Sequence, residues 1–79
     1  MIYKDGTQVR VKSDVTEDMI LSEGAPAIYA SGTLTVLGRE HGLNFIYYKL
    51  RHNDFPIEGD GWWLPGSLIR PCCMFNKEV

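Results

Sequence analysis

"WWLPGSLI", residues 62–69, decides how the rest of this 79-residue chain is read. Two tryptophans stand side by side, and on an extended strand consecutive side chains point to opposite faces of the sheet. One ring enters the core, and the other needs a separate reason to be there. The Pro65-Gly66-Ser67 that follows is a turn signal, because proline fixes its own φ and glycine relaxes the next. A last strand then begins near Leu68-Ile69.

Upstream, "YKDGTQVRVKSD" opens with the turn Asp5-Gly6 and then alternates. Val9 and Val11 face one way, and Arg10 and Lys12 the other, which describes a half-buried strand. "SDVTEDMILSEGAPAIYASG" reads as a long excursion. Asp14 with Glu17 has the spacing of a capping box, and Met19, Ile20 and Leu21 supply one or two helical turns. Gly24 and Pro26 end them.

"GTLTVLGRE" is rich in β-formers, with Leu34 and Val36 on one face and Thr33, Thr35 and Leu37 on the other. "EHGLN" supplies a turn. "FIYYKLRH" alternates again, with Ile46, Tyr48 and Leu50 expected inside and Phe45, Tyr47, Lys49 and Arg51 outside. "HNDFPIEGDG" is a loop dense in breakers, with Phe55 and Ile57 expected to tuck inward and both histidines, His41 and His52, in solvated turns. The expectation is an all-β domain: a small closed barrel of about five strands, with a long first loop that carries a short helix.

With the strands laid out, Trp63-Leu64-Pro65-Gly66-Ser67-Leu68-Ile69 resembles the closing signature of SH3 domains. In that family the aliphatic residue before proline is core, a tight helical turn follows and the last strand closes the barrel. The resemblance implies that Leu64 is core, that Trp62 shares its face, and that Trp63 shares the outer face with Pro65. The chain is also similar to short barrel proteins of phages and prophages, which end in an acidic loop, a tryptophan pair and an aliphatic strand. The SH3 opening motif with its paired tyrosines is absent, and Leu68 stands where a groove tyrosine is expected. Binding of proline-rich peptides is therefore not carried over.

Size and charge bound the rest. A chain this short buries only roughly 60–65% of the surface its unfolded form exposes, so the large aromatics matter. A formal charge of −2 gives no general attraction for nucleic acid or an anionic membrane. The cations, however, fall in or beside strands and the carboxylates in turns, loops or the short helix, so one wall is expected to be locally positive. "MIYKDGTQVR" turns polar too early for a secretory leader, and no apolar run spans a bilayer. Cys72 and Cys73 are adjacent and cannot staple distant segments, so two reduced thiols in a cytoplasmic protein are expected.

No zinc-type ligand spacing, nucleophile elbow, P-loop or dinucleotide fingerprint occurs, so neither a metal, a cofactor nor an enzymatic activity is expected. Asp54, Glu58 and Asp60 read as a soluble acidic loop. The candidate binding residues are Trp63, Pro65, Tyr47, Lys49, Arg51, Arg10 and Lys12. Rings interleaved with cations suit a nucleotide or a single strand. The same pattern is an ordinary strand exterior when Lys and Arg stems cover apolar surface. Trp63 is either packing beneath the long loop or an interface anchor, a role in which tryptophan is enriched. The expected function is non-enzymatic binding by stoichiometric occupancy. The chain, read as a whole protein with no second domain, would block a host protein or self-associate through Trp63, as a phage accessory or counter-defence protein does. The alternative is an anion-binding barrel that holds nucleic acid or sequesters a nucleotide signal.

Overall fold

The computed structural model describes residues 2–55 and 61–72. Five strands form one antiparallel sheet: β1 (Gln8–Val11), β2 (Leu34–His41), β3 (Ile46–His52), β4 (Trp62–Pro65) and β5 (Ile69–Pro71), in the order β4-β3-β2-β1-β5. β2, β3 and β4 are a meander. β1 pairs with β2 at Gln8–Thr35 and Val9–Leu34 and with β5 from Val9 to Val11.

The alternation read from the sequence holds. Val9, Val11, Leu34, Val36, Tyr48, Leu50, Leu64 and Ile69 are all buried on the inner face. Cross-strand pairs join them: Val9 with Leu34, Val36 with Leu50, Tyr48 with Leu64, and Val11 with Ile69. The excursion between β1 and β2 lies over this face. Helix α1 (Glu17–Ser22) buries Ile20, and a 3₁₀ turn, Ala27–Ala30, buries Tyr29. The Tyr29 hydroxyl donates to the Leu50 carbonyl oxygen at 3.1 Å, so its one polar atom is satisfied inside the core.

Several details depart from expectation. The helix cap is Thr16, whose hydroxyl accepts the Met19 N–H at 3.3 Å, and not Asp14 with Glu17. Glu17 is the first helical residue, so it cannot reach back as the third would; with Asp18 it places negative charge at the positive end of the helix. The helix itself holds Met19, Ile20 and Leu21 as expected, with Met19 and Leu21 exposed. Leu68 belongs to a 3₁₀ turn, Gly66–Leu68, and β5 starts one residue later.

A bulge breaks the β2–β3 register between Val36 and Gly38. Two residues of β2 there oppose one of β3, which reverses the facing of everything beyond Leu37. His52 is not in a solvated turn: it ends β3 with 2% of its surface exposed, because the inward parity of Tyr48 and Leu50 continues to it. Phe55 does not tuck inward; it is 53% exposed, its ring lying 5.2 Å from that of His52. Ile57, Glu58, Asp60 and Cys73 lie outside the described residues.

Candidate functional site

The β3–β4 ladder sets the site. Its register opposes Tyr47 to Pro65, Tyr48 to Leu64, Lys49 to Trp63 and Leu50 to Trp62. Because facing alternates and Leu64 is fully buried, Trp62 and Trp63 are forced apart. Trp62 is half-buried against the core, and Trp63 is 38% exposed on the outer face. Trp62 is thus a flank of the core rather than its centre.

On the outer face the ladder builds a strip. The Lys49 Nζ sits over the Trp63 ring, 5.5 Å from its centroid. Tyr47 lies across from Pro65 and meets the exposed Phe45 edge-on, with centroids 5.0 Å apart. The bulge contributes here, since it brings Gly38 opposite Lys49 and leaves no side chain on that flank of the lysine. Gly61, just before β4, has φ +104, and a Cβ there would fall 2.5 Å from the Leu50 carbonyl oxygen; only glycine lets the chain come this close to β3.

The strip runs into a cleft that sequence reasoning missed. About 440 Å³ of open space lies between the β2–β3 hairpin and the turn after β4, lined by His41, Leu43, Asn44, Phe45, Tyr48 and Ser67 among others. Leu43, at the hairpin tip, is 96% exposed. The available signal is Leu43, an apolar residue between Gly42 and Asn44 in a stretch that otherwise predicts only a turn.

Arg51, Arg10 and Lys12 are all exposed. Arg51 continues the strip past Lys49 and pairs with Thr35 on β2. Arg10 and Lys12 are not part of it: β1 lies two strands from β3, and Arg10 pairs with Arg70 of β5. Between these groups lies a closed polar triangle. Gln8 Nε2 donates to Thr35 Oγ1 at 2.9 Å, Thr35 Oγ1 to Asn53 Oδ1 at 2.6 Å, and Asn53 Nδ2 to Gln8 Oε1 at 2.7 Å.

Among the described residues no helix is long and apolar enough to cross a membrane, and no three His, Cys, Asp or Glu side chains gather as metal ligands. Comparisons with protein-family models, curated proteins and solved structures find no match. The geometry of the outer face therefore carries the functional reading.

Proposed function

We propose that this chain is a non-enzymatic binding protein of SH3-like barrel type that acts by stoichiometric occupancy, covering a partner protein with the Trp63–Lys49 strip and the adjoining cleft. The Lys49–Trp63 pairing carries the reading. A nucleobase stacks on the open face of a ring, and here a cation occupies a face of the indole. What remains is the rest of the exposed indole, the lysine stem, Pro65 and the Tyr47–Phe45 pair, an amphipathic surface of the kind that anchors protein interfaces. The cleft is large enough for one partner side chain, offering Phe45 and Tyr48 as walls and His41, Asn44 and Ser67 as polar edges. The likeness to short phage proteins makes a host protein the class of partner to test first.

The test compares proteins captured from a source lysate by the parent chain, by Trp63→Glu and by the Lys49→Glu/Arg51→Glu pair, at low and high salt. Occupancy of a protein requires that Trp63→Glu lose the captured partner while the double variant retains most of it, with little salt dependence. An anion-binding barrel reverses the order: the double variant loses binding, the bound species is a nucleotide or nucleic acid, and salt removes it.

A further inference from the structure

The β1–β5 ladder opposes two arginines. Lys12 N–H donates to the Leu68 carbonyl and Cys72 N–H to the Gln8 carbonyl, both at 2.9 Å, so Arg10 and Arg70 between them form a hydrogen-bonded pair of the antiparallel ladder. Their Cα atoms are thus about 5.5 Å apart and their side chains leave the same face. Like charges in that position repel. Lys12 follows the end of β1, two positions beyond Arg10, and its bond to Leu68 continues the register, so it leaves the same face about 7 Å further on. Among the described residues, no carboxylate lies within ion-pairing distance of Arg10, Arg70 or Lys12. The Arg70 Nη1 donates to the Pro71 carbonyl at 3.4 Å, which steadies one edge of its guanidinium and leaves the remaining donors unspent.

We infer that the Arg10–Arg70 pair is an oxyanion site that takes the carboxylates of an acidic protein segment, with Lys12 as a third contact. Two guanidinium groups that leave opposed positions of one ladder can converge on one carboxylate, and the bound charge relieves their repulsion. Phosphate shares this chemistry, but a single strand also needs rings for its bases. The neighbouring outer positions, Gln8, Thr33 and Cys72, carry none, whereas Tyr47 and Trp63 sit on strands at the other side of the sheet order. The site is separate from the Trp63 strip and does not depend on it. The competing account is that β5, at one end of the order, carries charge only to keep other chains from pairing with it.

The experiment titrates isotope-labelled protein with a short blocked oligoglutamate peptide and, in parallel, with an oligothymidylate of equal charge, following amide shifts. The peptide should perturb Arg10, Arg70 and Lys12 and weaken as salt rises from about 20 mM to about 200 mM. Arg10→Gln should weaken it about tenfold, the loss of one charge-assisted contact. Arg70→Glu should abolish it while the protein stays soluble and folded, since a glutamate protects an edge as well as an arginine does. Trp63→Glu should leave peptide binding unchanged, so failure of the strip reading and failure of this one are distinguishable. The inference is overturned if the peptide perturbs none of the three residues, if Arg70→Glu binds as the parent does, or if oligothymidylate binds the same arginines about tenfold tighter.

Discussion

His52 donates from Nε2 to the carbonyl oxygen of Ser31 across 2.8 Å, tying the end of the long excursion to the end of β3. The tautomer follows from the other nitrogen. Nδ1 accepts the Asp54 N–H at 3.1 Å, so the proton is on Nε2 and both ring nitrogens are satisfied. Gly32 packs directly beneath, where a Cβ would fall 2.8 Å from Nε2. Replacing His52 by Phe keeps a buried ring but strands a carbonyl and an N–H. That should cost about 2–4 kcal/mol in denaturant unfolding. His52→Gln can still donate to Ser31 and should cost less. Equal losses would show that the ring's packing against Tyr29, and not its hydrogen bonds, holds the junction.

Gly61 and Gly6 separate two costs that usually travel together. Both have positive φ, +104 and +90, but a Cβ at Gly6 meets nothing within 4 Å. Gly6→Ala should therefore show the backbone cost alone, about 1–2 kcal/mol. Gly61→Ala adds a collision with the Leu50 carbonyl and should cost about 2–4 kcal/mol. If the two melt alike, β4 shifts away from β3 to accommodate the methyl group. The lysine–indole pairing on that ladder would then be adjustable as well.

High pH should unfold the protein through its tyrosines. Burial raises the Tyr29 hydroxyl above its ordinary value of about 10, with a His52 backbone hydrogen bond and the Arg51 charge pulling it partway back. Burial and then Tyr48 raise Tyr3 likewise. In both, the folded state favours the neutral phenol, so the folded value exceeds the unfolded one. The associated stability is present below about pH 10 and lost as pH rises through the folded values. Unfolding midpoints from about pH 8 to about pH 11 should fall steeply at the top of that range. Tyr29→Phe should flatten the fall at a cost of about 1 kcal/mol for its hydrogen bond. An unchanged alkaline slope would remove Tyr29 as its source.

The strands and their facing were legible because a period of two needs only the local sequence. Extending it one step would also have buried His52, which continues the row of Tyr48 and Leu50. Gly38 was the mark of the bulge, yet its consequence, a bare position opposite Lys49, is a property of two strands together. The same holds for the candidate site. Trp63 and Lys49 lie 14 positions apart, and Arg10 and Arg70 lie 60 apart; no local pattern sets either register. Alternation turns Arg10 outward like Lys49 and Arg51, but it cannot show that the sheet order separates them.

The two tryptophans should differ in what they stabilise. Trp62 flanks the core, so Trp62→Ala should cost about 2–4 kcal/mol, somewhat less than a fully buried ring. Trp63 is 38% exposed and contacts Lys49, and Trp63→Ala should cost less than that, about 1–2 kcal/mol. A double-mutant cycle with Lys49→Met isolates the ring–cation term at about 0.5–1 kcal/mol, and that term should survive added salt better than an exposed ion pair. The same cycle bears on function. In an anion-binding barrel the lysine charge holds phosphate, so Lys49→Met would weaken binding of a nucleotide probe. With a protein partner the stem is part of the contact, and its loss of charge changes affinity little. Equal destabilisation by both alanine variants would mean that Trp63 is as structural as Trp62, and the outer strip would lose its anchor.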